Sequence, residues 1–357
     1  MTHKITIKKV AQSRVNEIDF DNIPFGREFS DHMFEATYSD GKWHSCEIKP
    51  LSRISIHPAM LTLHYGQAIF EGMKATKHVD GRPLLFRPEL HAERLNASAH
   101  RMCMPDVPPQ LFLDALHTLV DMEAEWIPAR KGSALYLRPF MFATDEYIGV
   151  SSSTSYKFII MCLPVGPYYS KPVKLRAERK YVRAVDGGVG EAKVAGNYAA
   201  SLYPARLAKE AGFDQVLWLD AHEFKYVQEV GTMNIFFVFK DKIVTPATTG
   251  TILKGITRKT LIEIMKDRGM QVEERKISID EIKEAYKNGD LVESFGAGTA
   301  AVVANISLIQ DGDFQMTFDE SNWKTSRDLK KHINDLRAGE VPDNHGWVIP
   351  VHSEVMA

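Results

Sequence analysis

The chain has 357 residues, 44% of them apolar and 25% charged, with a formal net charge of −2, which is the composition of an ordinary folded protein rather than a disordered or fibrous one. Acidic and basic residues are mixed along it, so there is no basic face to displace counterions from nucleic acid. Its longest apolar runs, Phe158 to Val165 and Ile235 to Phe239, fall short of the roughly 20 residues that cross a bilayer.

At this length a single hydrophobic core stops growing, so two domains are expected. The first residues, MTHKITIKKV, contain neither an apolar signal core nor an Arg-rich and Ser-rich amphipathic stretch, and the expected location is cytoplasmic. A helix is predicted from Pro88, with Leu90, Leu95, Ala99 and Met102 as its apolar positions, and a second from Pro109, with Leu116, Leu119 and Val120. The strand-like run KFIIMCL leads into PVGPYYSKP, Pro164 to Pro172, whose turn chemistry marks an interdomain connector. The expected division is therefore an N-terminal domain over 1–165, a connector over 166–176 and a larger C-terminal domain over 177–357.

Beyond the connector, QVLWLD (Gln215 to Asp220), YVQEVG, NIFFVF (Asn234 to Phe239) and KIVTP read as closely spaced strands of a meandering sheet. Helices follow near Thr257, with Leu261, Ile264 and Met265 on one face, and at Ser278, where Ser278 and Glu281 form a capping-box pattern. The fold class is α+β in two domains, not an alternating βαβ series. Cys46, Cys103 and Cys162 are odd in number and widely spaced, which argues against a disulfide framework and a zinc site.

The most unusual local composition is DGGVGEAKVAGNYAAS, Asp186 to Ser201, where Lys193 stands among glycines and alanines. Small residues let a bulky planar ligand approach the backbone, and a partly desolvated lysine is an amine free to attack a carbonyl. The same composition also suits a flexible loop with a solvated lysine. A phosphate-loop reading fails, because Ala192 precedes the lysine and Val194 stands where a hydroxyl residue would hold magnesium.

Gly255-Ile256-Thr257 precedes a helix, so its amides and the Thr257 hydroxyl make a seat for a phosphate, although Thr257 could equally be a plain N-cap. Gly296-Ala297-Gly298-Thr299-Ala300 is a second small-residue loop able to offer amides and a hydroxyl to an anion. Glu229 ends an apolar strand; if buried it needs a partner such as a protonated pyridine nitrogen, and if exposed it needs none.

Taken together, VGEAKVAGNYAASL, EVGTMNIFFV, LKGITRKTL and FGAGTAAVV resemble the ordered motif set of the fold-type IV pyridoxal-phosphate enzymes, and in detail that of the branched-chain amino acid aminotransferases. PFGREFSDHMF, LHYGQAIFEGMKA, HAERL and YLRPFMFA are similar to that family's N-terminal segments, in the family's order. The resemblance implies a two-domain fold-type IV architecture, pyridoxal 5′-phosphate (PLP) as cofactor, and transfer of amino groups between Leu, Ile or Val and 2-oxoglutarate. It makes Lys193 the Schiff-base lysine and the proton shuttle between the amino acid's α-carbon and the cofactor's C4′ carbon. It puts Glu229 on the pyridine nitrogen and Tyr198 on the phenolic oxygen. Arg94, the amides of Ile256 and Thr257, and the hydroxyls of Thr257 and Thr299 fall to the phosphate.

For the substrate, Phe25, Tyr65, Phe70, Tyr136 and Thr232 correspond to the side-chain pocket, the Tyr136 hydroxyl and Ala300 amide to the α-carboxylate site, and Arg138 to a retractable group for the distal carboxylate of the second substrate. A homodimer is implied, with Tyr65 and the segment Ile148 to Val150 reaching the partner's pocket, whereas the bland reading packs that apolar loop internally. Some relatives carry a C-x-x-C after the Gly-Thr-Ala motif; here the residues are Ala301-Val302-Val303-Ala304. A D-amino-acid aminotransferase or an aminodeoxychorismate lyase would share the lysine and glutamate, but EVGTMN and YLRP speak against both. The intact set of Lys193, Tyr198, Glu229 and Arg94 argues against an inactive scaffold, and the thirteen histidines show no HExxH spacing for a metalloenzyme.

Overall fold

A computed structural model describes residues 4–169 and 171–351; residues 1–3, Ser170 of the expected connector and 352–357 of the expected C-terminal domain lie outside them. Contacts divide the chain into two units. The described residues up to Tyr168, with Lys193–Ala195 and those from Asp335 onward, form the first; Tyr169–Ala192 and Gly196–Asn334 form the second.

The first unit is built on strands Thr6–Ile7 (β1), His32–Ser39 (β2), Lys42–Pro50 (β3), Ala68–Phe70 (β4), Met73–Lys77 (β5), Pro83–Phe86 (β6), Ala134–Ala143 (β7) and Tyr156–Val165 (β8), closed by the strand Val348–Pro350. Their order is β1-β3-β2-β8-β7-β5-β6 and then Val348–Pro350, with β4 also on β7. β7 and β8 pair antiparallel from Ala134 opposite Val165 to Ala143 opposite Tyr156. Both are nearly continuous in apolar residues because both faces are covered, Phe158 stacking on Phe112 on one side while Ile159 joins Met33, Met60 and Phe142 on the other.

β7 serves two partners in turn, β5 along Leu135–Leu137 and β4 along Phe140–Phe142. Pro139, which has no N–H to give, sits at the changeover, where its carbonyl accepts from the Glu71 amide at 2.7 Å. The kink Phe70-Glu71-Gly72 is thereby fixed between β4 and β5.

Leu61–Tyr65 forms a short helix (α1), Pro88–Arg101 a longer one (α2) and Pro109–Met122 a third (α3). α2 and α3 begin at their prolines, as expected, since an N1 residue needs no amide donor. The buried stripe of α2 is Pro88, His91, Ala92, Leu95, Ser98 and Ala99. Leu90 and Met102, expected among its apolar positions, are only half-buried, because polar His91 and Ser98 occupy the stripe instead.

In the second unit the strands are Val173–Ala177 (β9), Gln215–Leu219 (β10), Val227–Val230 (β11), Asn234–Phe239 (β12), Ile243–Thr245 (β13), Val272–Glu274 (β14), Leu291–Gly298 (β15), Val302–Asp311 (β16) and Phe314–Thr317 (β17). The order is β11-β10-β9-β16-β15-β12-β13-β14, with β17 on β16. The expected meander is instead two hairpins, β10–β11 and β12–β13, separated by β9, β16 and β15. β9 starts within the segment expected to connect the domains, and it pairs in parallel with both β10 and β16.

Leu217, Leu219, Ile235, Phe237, Ile306 and Ile309 are fully buried in this unit's core. Its helices are Ala195–Glu210 (α4, from Gly196 on), Ile256–Asp267 (α5), Ile279–Lys287 (α6) and Lys324–Arg337 (α7, up to Asn334). Ser278 caps α6 by accepting from the Glu281 amide at 3.0 Å. The reciprocal half of the expected capping box is absent, because the Glu281 carboxylate pairs with Arg275.

Candidate active site

Lys193 belongs to the first unit and is clamped there from both sides. Its amide donates to Ser98 Oγ at 2.9 Å, its carbonyl accepts from the Phe70 amide at 3.1 Å, and the next residue, Val194, bridges to Ile69. The amine lies 4.6 Å from the centroid of the Phe70 ring, a contact that favours a cation over an aromatic face. Lys193 is half-buried, and its backbone is hydrogen-bonded on both sides rather than loose.

Around Phe70 the first unit gathers more of the expected residues. The Arg138 guanidinium stands 4.7 Å from the Phe70 ring and 5.4 Å from that of Tyr136, and its Nη2 donates to the Tyr136 hydroxyl at 3.1 Å. Phe25 meets Tyr136 edge-on at 5.8 Å. The ring of Tyr136 needs Gly72, where a Cβ would fall 2.0 Å from its hydroxyl oxygen. Tyr65, the last residue of α1, stands apart from the cluster, 39% exposed beside His64.

Arg94 is held by an acid absent from the expected set. Its Nε and Nη2 donate to the two oxygens of Glu71 at 2.7 and 2.8 Å, and His91 Nδ1 lies 2.8 Å from the same carboxylate. Burial pushes the Glu71 carboxyl up, but Arg94 beside it and the bonds from Arg94 and His91 hold it far below the usual carboxylate range. Burial keeps His91 below its ordinary value despite Glu71.

In the second unit Glu229 is 2% exposed, which removes the reading of an exposed strand end. Arg183 Nε lies 2.7 Å from its Oε2, while Oε1 accepts from the Leu253 amide at 2.8 Å and from Asn234 Nδ2 at 3.3 Å. Arg183 is itself tied to the carbonyls of Thr251 and Gly190 at 2.7 and 3.0 Å. Glu229, Tyr198, Thr232 and Arg183 line one small cleft with Asn197, Ser201, Gly231 and Leu253. The glycine crowding near the lysine is partly used by the protein itself, since a Cβ at Gly190 would fall 2.4 Å from Ala184 Cβ and 2.7 Å from the Thr251 carbonyl.

Ile256 and Thr257, both buried, open α5. The N-cap is Gly255, which makes no side-chain cap, so Thr257 is the second helical residue rather than the cap. The first intrahelical bond runs from the Lys259 amide to the Gly255 carbonyl, so the amides of Ile256 and Thr257 have no helical acceptor at the positive end of the helix. Gly255 is required because a Cβ there would lie 2.0 Å from Asn234 Oδ1. Thr299 and Ala300 form the turn from β15 to β16, and a Cβ at Gly298 would touch Met233 at 3.3 Å, so this turn lies beside Thr232–Met233. Val302 closes the turn at φ 62°, a left-handed conformation that strains a β-branched residue.

These donors fit a phosphorylated pyridine aldehyde. The first unit offers the amine of Lys193 and the guanidinium of Arg94; the second, by itself, offers Glu229 as a buried acceptor suited to a ring N–H, Tyr198 in the same cleft as a phenolic donor, and at the start of α5 amides suited to a phosphate. Glu71, His91, Ser98 and Arg183 were missed. A signal for two of the four was present, since His91 and Ser98 are polar residues at helical spacing within the buried stripe of α2, where apolar residues alone would be expected. Among the described residues, no group of three or more His, Cys, Asp or Glu could hold a metal ion, and no helix is long and apolar enough to cross a membrane.

The sequence pattern of the family described as Amino-transferase class IV matches residues 68–309. Branched-chain-amino-acid transaminase 1 of Bacillus subtilis (strain 168) is 47% identical over 339 residues, which are 93% of this chain and 95% of that protein. A branched-chain-amino-acid aminotransferase of Mycolicibacterium smegmatis is 40% identical over 349 residues, 95% of each. Among solved structures, a branched-chain amino acid aminotransferase of T.th. complexed with N-(5'-phosphopyridoxyl)-L-glutamate is 25% identical, with a TM-score of 0.70 over 89% of this chain and 98% of that one.

Proposed function

The chain belongs to the branched-chain amino acid aminotransferases of the class IV aminotransferase family, and from that membership we infer PLP-dependent transfer of the amino group of Leu, Ile or Val to 2-oxoglutarate, giving the branched 2-oxo acid and L-glutamate. The observation that carries the reading is the clamped lysine, whose backbone is fixed by Ser98 and Phe70 while its amine lies over an aromatic ring. The solved relative carrying a phosphopyridoxyl-glutamate adduct supports glutamate as the second amino acid.

When bound, PLP supplies an electron sink for the pair left on the substrate's α-carbon. Lys193 would hold the cofactor through its amine, and its Nζ would be the base that takes up and returns the proton of the substrate's α-carbon. Glu229, kept in place by Arg183 and the Leu253 amide, would accept from the pyridine N–H. Tyr198 would donate to the phenolic oxygen, and Arg94, the Ile256 and Thr257 amides and the Thr257 and Thr299 hydroxyls would bind the phosphate.

Phe25, Phe70, Tyr136 and Thr232 exclude water from the side-chain pocket, Tyr65 serves the pocket of the partner in the proposed dimer, and the Tyr136 hydroxyl with the Ala300 amide takes the α-carboxylate. Arg138 serves the distal carboxylate of glutamate: its Nε is buried with no hydrogen-bond partner among the described residues, so it has a donor to offer, while Phe70 gives the cation a resting place when the substrate is a hydrocarbon. Arg138→Leu is expected to lower kcat/KM for 2-oxoglutarate by about tenfold to a hundredfold, the worth of a hydrogen bond to a charged group, and to spare the branched 2-oxo acids. Equal losses on both substrate classes in steady-state assays remove Arg138 from this role.

The proposal includes a homodimer. Tyr65 and Leu63 of α1 are exposed together with Tyr147, Ile148 and Val150, and the two segments adjoin through the Met60–Glu146 bridge, an apolar surface of the kind that marks association. It also includes a cytoplasmic setting, in keeping with three free thiols, Cys46 and Cys162 buried and Cys103 exposed. A panel of amino donors with 2-oxoglutarate, followed by glutamate formation, tests the function: L-Leu, L-Ile and L-Val are expected to lead, and D-alanine at comparable rates overturns the assignment.

A further inference from the structure

Glu71 is fully buried at the kink between β4 and β5, and it joins two things at once. Its carboxylate takes Arg94 in a two-bond fork at 2.7 and 2.8 Å, with His91 Nδ1 at 2.8 Å and the Gly72 amide at 3.2 Å completing its shell. His91 and Arg94 lie one turn apart on α2, so the acid bolts the middle of that helix to the kink. One residue earlier, Phe70 holds the Lys193 carbonyl and lies under the Lys193 amine. A single peptide unit, Phe70-Glu71, therefore links the position of the amine to that of the guanidinium.

We propose that Glu71 is a positioning residue that aims Arg94 at the cofactor phosphate and sets the spacing between that phosphate and the Lys193 amine. The proposal rests on the reading of Arg94 as the phosphate-binding arginine. Planar fork pairing fixes a guanidinium in rotation as well as in place, which a single bond to a phosphate does not. His91 in turn orients Glu71: a neutral imidazole donates one N–H, and here that donor faces the carboxylate.

Glu71→Gln keeps the size of the side chain but presents an NH2 group to donors on Arg94 and His91, so the fork is lost. Full-length chain stripped of cofactor is titrated with PLP and, separately, with pyridoxal, which lacks the phosphate. E71Q is expected to weaken PLP binding by about tenfold to a hundredfold and to leave pyridoxal binding unchanged. R94Q is expected to show the same pattern, and E71Q/R94Q to be no weaker than R94Q, since an effect exerted through Arg94 vanishes with it.

Equal weakening for PLP and pyridoxal in E71Q, or PLP affinity at the wild-type level, overturns the proposal. R94Q binding PLP as wild type does would instead overturn the reading of Arg94, so the two failures are told apart. Removing one member of a buried pair destabilises more than removing both, so if E71Q alone does not fold, E71Q/R94Q decides: PLP affinity equal to that of R94Q supports the proposal, and a further loss overturns it.

Discussion

Lys193→Ala is expected to lower turnover by roughly 10³-fold to 10⁴-fold or more, because on the proposed reading it removes the proton shuttle, for which general acid–base catalysis alone is typically worth 10²-fold to 10⁴-fold, along with the covalent seat of the cofactor. The surrounding structure should survive. Ser98 and Phe70 bond the backbone of residue 193, not its amine, and an alanine makes both bonds equally well. Borohydride reduction followed by peptide mass mapping checks this: the wild type should carry one pyridoxyl mass on the peptide containing Lys193, and the variant none. An adduct on another lysine, or turnover within tenfold of wild type, about 1.4 kcal/mol, would remove Lys193 from the chemistry.

Glu229→Gln should retain bound cofactor and lose about 10²-fold to 10³-fold in kcat, because an amide does not keep the pyridine nitrogen protonated and the electron sink is weakened. The substitution also leaves Arg183 without its carboxylate in a buried place, where an uncompensated cation is expensive. Arg183 keeps two carbonyl partners, Thr251 and Gly190, so the loss of stability should sit near 2 kcal/mol, the lower part of the range for hydrogen bonds to charged groups. Steady-state kinetics and thermal unfolding separate the two effects. Full activity with lowered stability would mean that Glu229 merely anchors Arg183 to the Leu253 segment.

Much of the fold was legible where local chemistry decides structure. Pro88 and Pro109 open helices because nothing else suits an N1 position so well, and NIFFVF is a strand over its whole length because both of its faces are buried. The strand order of the second unit was not legible. β9 pairs in parallel with β10 and β16, and a parallel partner lies a long crossover away in sequence, so nothing local to VKLRA names it. Fixation of Lys193 by Ser98, of Arg94 by Glu71 and of Glu229 by Arg183 was hidden for the same reason. Each pairs residues tens of positions apart, whereas the motifs that contain the reactive groups are contiguous and speak for themselves.

The first unit is drawn from three separate stretches of chain, one of them only Lys193–Ala195 and the last containing Val348–Pro350, which pairs with β6. During synthesis, at about 5–20 residues per second, β6 therefore waits for its outer neighbour until the chain has been made through Val348–Pro350. An unpaired edge of that kind is a template for sticking to other chains, so newly made chains should depend on chaperones more than refolded ones held at low concentration. The second unit, almost uninterrupted from Tyr169 to Asn334, escapes that delay. Lys193 belongs to the unit that is completed later.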